Sequence, residues 1–486
     1  MLEVVIRGAG YRLGKVIIND IKFSLLEGEL LLIVGPSGSG KTTLLLAMTG
    51  VLNNLLNGFV EGYVNLFGIN PLIPEDFPKV PKVVGVVLQD PEKQLSMPTP
   101  IDEVAFTLEN LGFKDFDKFL SNTLERVGLL NKATTPIEYL SGGEKKRLCV
   151  AASIIHNPKL VIFDEPTANL DPWGVSEVIK YINDLKDEGR IIIVIEHKAR
   201  YFTKFTDKLL LINNGKQVLY LEGKDLIRNS IDINESLENY GVDIRIPRLR
   251  SSQERSSCRE VILEVKDLWF KYLPKEDYIL KGINLRLCSG DVGVIVGPNG
   301  AGKTTLLKVI AGFYRPERGS IKFLGNDLTK VKKSIKCRGI FYIPQEPDYM
   351  FVHSKVLDEL RVGTTPLDEV LSNEVWIKEL LNESPYRLSH GQRRWLAFTI
   401  AKLYNPKVLL FDEPTAGLDL LLLKQYVSWV REVTSQGKTV LIATHDVRLL
   451  YELVTKAFIM ENGYLSEVKV EEAIKYLENP LRWSYD

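Results

Sequence analysis

The chain is poor in the features that would mark it as secreted, metal-clustered or membrane-spanning. Its four cysteines, Cys149, Cys258, Cys288 and Cys337, stand far apart. Zinc knuckles and iron–sulfur clusters need closely spaced pairs, so neither is expected. The chain opens without a signal-peptide pattern, and reduced intracellular thiols are the corresponding expectation. Its longest apolar stretches, such as Ile191–Ile195, fall far short of the ~20 residues that cross a bilayer. Net charge is missing too: 62 Lys and Arg balance 62 Asp and Glu, which leaves no global drive toward nucleic acid or anionic lipid. What remains is ordinary globular material, 45% hydrophobic and 26% charged over 486 residues. That length suggests about two to four domains, cytosolic or peripherally attached to a membrane.

An internal repeat organises the chain. GPSGSGKTT (Gly35, Pro36, Ser37, Gly38, Ser39, Gly40, Lys41, Thr42, Thr43) recurs as GPNGAGKTT (Gly297, Pro298, Asn299, Gly300, Ala301, Gly302, Lys303, Thr304, Thr305). LSGGEKKR from Leu140 recurs as LSHGQRRW from Leu388, LVIFDEPTANLD from Leu160 as VLLFDEPTAGLD from Val408, and IVIEH ending at His197 as LIATH ending at His445. From Ser141 to Ser389, Glu165 to Glu413 and His197 to His445 the shift is 248 residues; from Lys41 to Lys303 it is 262. One register across three separated motifs predicts the same fold twice, with 14 extra residues between phosphate loop and signature in the first copy. Short apolar runs such as GELLLIVG and KLVIFDE read as strands buried on both faces of a parallel sheet, with helices following, so the class is α/β. LEVVIRGAGY with INDIKFSL, and ILEVKDLWFKY with LKGINLRL, read as antiparallel strands. Polar, Ser- and Arg-rich sequence at 224–260 marks a linker between domains at 1–223 and 261–486.

Both G-x-x-x-x-G-K-T segments follow an apolar strand and open a helix, the context in which backbone N–H groups and the helix's positive end wrap phosphates. Lys41 and Lys303 would neutralise the β- and γ-phosphates, and Thr42 and Thr304 would ligate Mg²⁺. Asp164 and Asp412, at strand ends, can hold the metal's water shell. Glu165 and Glu413 are placed to polarise an attacking water as general bases. Ser141 with Glu144, and Ser389 with Gln392, form capping boxes. Capping does not account for Gly142, Gly143 and Gly391; a helix start that must approach a phosphate does.

The order of phosphate loop, Gln, LSGG, apolar-Asp-Glu and His resembles that of ABC ATPases and covers nearly the whole chain in two halves. The resemblance implies two tandem P-loop ABC nucleotide-binding domains, each with a mostly parallel core sheet, an antiparallel β subdomain and a helical subdomain. It implies ATP and Mg²⁺ as ligands, and an intramolecular dimer that sandwiches each ATP between the phosphate loop of one half and the signature (Ser141, Gly142, Gly143; Ser389, His390, Gly391) of the other. By it, His197 and His445 are the switch histidines, Gln89 and Gln345 reach the metal, Asp171 and Asp419 match the D-loop, and Tyr11 and Tyr272 stack on adenine, with plain strand packing as the alternative for the tyrosines. His390 departs from the pattern, standing where the first signature glycine belongs. It would face the nucleotide of Lys41, Glu165 and His197, which predicts unequal hydrolysis with that site slower; an imidazole that fits and changes little is the other reading.

QDPEKQLSMPTPIDEVAFTLENLGF, from Gln89, with a second glutamine at Gln94, resembles the ATPase subunits of energy-coupling factor transporters, which import vitamins and transition-metal ions. There the segment docks onto a membrane-embedded coupling subunit, itself paired with a substrate-binding membrane subunit; a generic surface helix is the alternative. In the second half Met350 takes the place of that second glutamine. Peripheral placement on the cytoplasmic face of the cell membrane follows from the resemblance. The competing classes are a soluble twin-cassette ATPase working on ribosomes or nucleic acid and the motor of a conventional ABC transporter. Against the first stand the short linker and the lack of a Cys-rich amino-terminal cluster or basic excess.

Overall fold

A computed structural model describes residues 1–114, 117–168, 170–223, 237–244, 258, 260–330, 339–361, 366–368, 371 and 374–481. The chain divides into two compact units, Met1–Arg245 and, in the main, Ile246–Arg482. Most of the linker expected at 224–260 lies outside the described residues, as does Cys337.

In the first unit the strands are β1 (Leu2–Gly10), β2 (Ile18–Leu25), β3 (Leu30–Val34), β4 (Phe59–Leu66), β5 (Val84–Val87), β6 (Leu160–Asp164), β7 (Ile191–Ile195), β8 (Lys208–Asn213) and β9 (Lys216–Glu222). They join in the order β4-β1-β2-β9-β8-β3-β7-β6-β5. The runs LLLIV, LVIFD and IIIVI are buried at every position and pair in parallel, as strands covered on both faces must. β1 alternates buried and half-buried residues and pairs antiparallel with β2 and β4, the pattern of a sheet with one wet face. A separate apolar cluster, including Val104, Leu108, Leu124 and Leu148, forms the core of a helical subdomain.

The second unit repeats this plan with β10 (Val261–Phe270), β11 (Leu280–Cys288), β12 (Val292–Val296), β13 (Arg318–Phe323), β14 (Asn326–Asp327), β15 (Ile340–Ile343), β16 (Val408–Asp412), β17 (Thr439–Ala443), β18 (Lys456–Glu461) and β19 (Tyr464–Val468). Its core order, β15-β16-β17-β12-β18-β19, matches that of the first unit strand for strand, and β11-β10-β13-β14 is a separate antiparallel sheet. The helical core includes Val356, Leu360, Leu396 and Ile400. Both sheets thus place their parallel strands' carboxyl ends beside a phosphate loop.

Two local features depart from the sequence reading. Cys258 and Cys288, expected as free thiols, are joined in a disulfide with Cα atoms 5.6 Å apart. They lie 30 residues apart in sequence, but the antiparallel register of β10 on β11 sets Val261 opposite Cys288 and brings the chain just before β10 alongside. Cys149 is buried and free. Within the expected linker, residues 237–244 are not a tether hanging in solvent. Leu237 and Val242 are fully buried, and Asp243 forms a buried ion pair with Arg200 at 2.6 Å.

Candidate functional site

Each phosphate loop leaves a buried strand through a glycine at φ near +154° (Gly35 φ 153°, Gly297 φ 154°) where a side chain would strike a carbonyl, that of Ile212 or of Met460, at about 2 Å. Gly40 and Gly302 cap the following helices, Lys41–Met48 and Lys303–Ile310, in the left-handed region with no side chain over the first amides. A helix start of this kind, with no side-chain cap, is suited to receive phosphate oxygens. Lys41 is only 6% exposed, and its Nζ donates to the carbonyls of Gly35 and Pro36, both at 2.9 Å. Lys303 does the same to Gly297 at 2.7 Å and Pro298 at 3.0 Å. Burial lowers the Lys41 pKa, partly offset by Glu165 and Asp164. A buried ammonium held on two carbonyls is a charge waiting for an anion.

Thr42 and Thr304 point their hydroxyls at the strand-end aspartates, 3.5 Å to Asp164 and 3.0 Å to Asp412. Burial, and then the charge of Glu165, pushes Asp164 up to about 6, and burial raises Asp412 as well. Each site thus pairs a buried aspartate with a more accessible threonine hydroxyl, an all-oxygen donor set whose negative charge a hard divalent cation would relieve, so the residues fit Mg²⁺. Gln89 is brought to Glu165 rather than to the Thr42–Asp164 pair: its Nε2 donates at 2.6 Å. Gln345 lines an open cavity of about 820 Å³ that also reaches Thr304 and Asp412.

Glu165 and Glu413 both sit at φ 45°, a conformation that costs a non-glycine residue energy and clusters at functional sites. Their amides continue the sheet ladder to Ile195 and Ala443, at 2.8 and 2.9 Å. The left-handed turn then throws each side chain toward its histidine. His197 Nε2 lies 2.8 Å from Glu165, and His445 Nε2 lies 3.2 Å from Glu413. Burial alone would raise Glu165, but the His197 hydrogen bond and charge, with Lys41, hold it below the usual range. Glu413 is instead pushed by burial up to about 7. It accepts from the Thr444 hydroxyl at 3.1 Å and the His445 amide at 3.2 Å, while His445 Nε2 also meets Asn299 at 3.0 Å.

The signature serines cap their helices, Gly142–Ile154 and His390–Tyr404, with both expected capping boxes present. Gly142 and Gly143 have no positive φ, and a methyl group on either would meet no atom within 4 Å. The His390 side chain lies outside the described residues, although its backbone begins the second signature helix. Tyr11 and Tyr272 are both exposed, at 42% and 44%. Tyr272 reaches the phosphate-loop helix through its hydroxyl, 3.1 Å from Thr305. Gln94 bonds within its own unit, accepting from the Leu88 amide at 2.8 Å and donating to the Val86 carbonyl and to Ser153 Oγ, both at 3.1 Å.

Sequence reasoning missed a carboxylate beside each of His197 and His445. Glu196, before His197, accepts from Thr167 Oγ1 at 2.9 Å; Asp446, after His445, accepts from Thr415 Oγ1 at 2.8 Å. The two carboxylates approach from opposite sides of the histidine yet seize the same threonine of the DEPT segment. The signal was present as the EH and HD pairs, but their equivalence needs the fold.

A family model described as ABC transporter matches residues 18–168 and 280–416, one stretch in each unit. The chain is 30% identical to the putative HMP/thiamine import ATP-binding protein YkoD of Bacillus subtilis (strain 168), over 93% of this chain and 88% of that one. It is 30% identical to a putative ABC transporter ATP-binding protein of Saccharolobus solfataricus, over 93% of this chain and 90% of the relative. Among solved structures, a ribosome-bound archaeal ABCE1 superposes with a TM-score of 0.71 at 20% identity, covering 98% of this chain and 80% of that one. A ribonuclease L inhibitor gives 0.64 at 20% identity, covering 94% and 89%; at that identity the likeness concerns the fold. With paired phosphate loops, strand-end Asp-Glu pairs and signature helices in two α/β units, this chain belongs to the ABC transporter family as a twin-cassette, ATP-binding ATPase.

Proposed function

We propose that the chain is the ATP-hydrolysing motor of a membrane transporter, of the energy-coupling factor type that imports a vitamin or transition-metal ion, with two ATP molecules held at composite sites between the halves. The observation that carries the composite site is the pair of glycines after Ser141. The fold has no steric or conformational need for them, since a methyl on Gly142 or Gly143 meets nothing and neither has positive φ. Glycine in a helix costs up to about 1 kcal/mol against alanine, so bare backbone there serves something outside the unit. The capped helix start presents its amides to an anion, and the γ-phosphate held by the opposite lysine is the anion that fits.

Within each site the chemistry is phosphoryl transfer to water. Lys41 or Lys303, together with the phosphate-loop amides, holds the β- and γ-phosphates and stabilises the charge that develops on them. Thr42 with Asp164, and Thr304 with Asp412, would hold Mg²⁺, which supplies further charge neutralisation when bound. Glu165 or Glu413 takes the proton of the attacking water as the bond to the leaving ADP oxygen breaks. His197 and His445 orient these carboxylates and face the γ-phosphate. ATP closes the halves by bridging them, and hydrolysis removes the bridge.

Transport is supported by the Bacillus relative, named for HMP/thiamine import and matched along both cassettes. It is supported as well by exposed apolar side chains between glutamine loop and signature in both units: Phe106 and Phe113 in the first, Tyr349 and Val352 in the second. Exposed apolar side chains in the corresponding segment of each unit suit a partner protein. The test is purification of the full chain at native expression from its own cells: recovery with membrane, together with a multi-spanning subunit, is expected. Recovery with ribosomes and none with membrane overturns the transporter reading and leaves the ATPase standing.

A further inference from the structure

Five residues after each signature serine, within two helical turns, the helix carries a buried cation. Lys146 is 1% exposed and Arg394 is fully buried. Burial lowers the pKa of both; that of Arg394, at about 10, leaves its guanidinium charged at neutral pH. Taking a cation out of water is costly unless its protons are placed on acceptors. Lys146 Nζ donates to the carbonyls of Leu88 and Gln89, at 2.7 and 3.0 Å. Arg394 donates through Nη2 to the carbonyl of Gln345 at 2.8 Å and through Nη1 to that of Glu413 at 2.9 Å. The two units use different side chains and share one acceptor, the carbonyl of the loop glutamine; the second acceptor is Leu88 in the first unit and Glu413 in the second. A cation satisfied by main-chain carbonyls fixes a loop's path without consuming its side chains.

We propose that Lys146 and Arg394 are positioning residues that lock the glutamine loop to the signature helix in each unit. A helix is rigid over this distance, about 7.5 Å from the serine at 1.5 Å per residue. A shift of the signature serine is therefore passed directly to Gln89 or Gln345, and in the second unit to the peptide of Glu413. The glutamine that touches Glu165 thus reports the position of the signature of its own unit. The inference rests on the assignment of Glu165 and Glu413 as the hydrolytic bases and is independent of the transported cargo.

The experiment compares Lys146→Met and Lys146→Arg, and Arg394→Met and Arg394→Lys, in the full chain. It reads kcat and KM for ATP, melting temperature, and hydrogen exchange of the peptides covering 86–95 and 142–154 for the Lys146 variants and 342–351 and 390–404 for the Arg394 variants. The methionine variants are expected to lose about tenfold or more in kcat with KM changed less than about twofold, the signature of lost positioning rather than lost binding. Exchange is expected to rise in 86–95 for Lys146→Met while 142–154 keeps its protection. The exchanged cations, Lys146→Arg and Arg394→Lys, are expected to keep kcat within about threefold, because each retains a charged donor for the carbonyl of the loop glutamine. A methionine variant with unchanged kcat and an unchanged glutamine loop overturns the proposal. So does a loss that Lys146→Arg fails to rescue, or one that follows the folded fraction. If the methionine variants do not fold, the same exchange measurement on Lys146→Arg and Arg394→Lys decides: a protected loop upholds the lock and a freed loop refutes it. Should the double variant Glu165→Gln/Glu413→Gln still hydrolyse ATP, the assignment of the bases fails, whatever the lock does.

Discussion

The first unit grips its strand-end glutamate with side chains, and the second grips its own largely with a threonine and the main chain. Glu165 is fastened by His197 at 2.8 Å and Gln89 at 2.6 Å and is held below the usual carboxylate range. Glu413 takes Thr444 and the His445 amide, and burial lifts it to about 7. A shared motif therefore places a carboxylate without setting its basicity; the neighbours do that. A base whose pKa lies near the working pH is the better catalyst, which agrees with the slower first site expected from His390. The aspartates differ as well. The Tyr342 hydroxyl donates to Asp412 at 3.0 Å, and Val86 holds the equivalent strand position in the first unit.

The comparison can be broken most decisively at the bases. Glu413→Gln is expected to cut steady-state ATP hydrolysis about a hundredfold, and Glu165→Gln less than about tenfold; equal losses in the two assays remove the asymmetry. Next comes the anchoring of residues 237–244, which involves a buried pair of the first unit. Arg200→Met leaves Asp243 without this partner and is expected to cost about 3 kcal/mol in chemical denaturation, with a null effect denying the segment a structural role. The signature glycines separate the units a third way. Gly143→Ala meets no atom and is expected to leave the melting temperature unchanged or raised while hydrolysis falls about tenfold. Gly391→Ala brings its methyl to 3.2 Å from Leu422 and is expected to lose stability as well. Calorimetry beside an ATPase assay distinguishes them. The smallest effect is assigned to Tyr342→Phe, which removes one hydrogen bond, worth about 1 kcal/mol, and is expected to raise about fivefold the Mg²⁺ needed for half-maximal ATP-analogue binding at the second site.

What could be read in the sequence was local. The phosphate loops, the strand-end Asp-Glu pairs, both capping boxes and the antiparallel hairpins each depend on residues within a few positions of one another, and all stand where the repeat put them. What escaped depends on pairs that only the fold makes neighbours. Cys258 meets Cys288 through the register of two strands. Asp243 returns over 43 residues to Arg200. Lys146 reads as one more surface base of a charged run until the helix turns it inward onto Leu88 and Gln89. Gln94, read for its likeness to a docking segment, also bonds Leu88, Val86 and Ser153 within its own unit, contacts that no local pattern announces. Periodicity locates elements; it does not say which polar group a buried side chain will satisfy.

The central claim is that each ATP needs both halves. The direct measurement is a structure of the Glu165→Gln/Glu413→Gln chain trapped with ATP and Mg²⁺. The account predicts the backbone amides after Ser141 in hydrogen-bond reach of the γ-phosphate that Lys303 holds, and Ser389 facing the one that Lys41 holds. Two nucleotides each enclosed by a single half, with both signatures facing solvent, would contradict it.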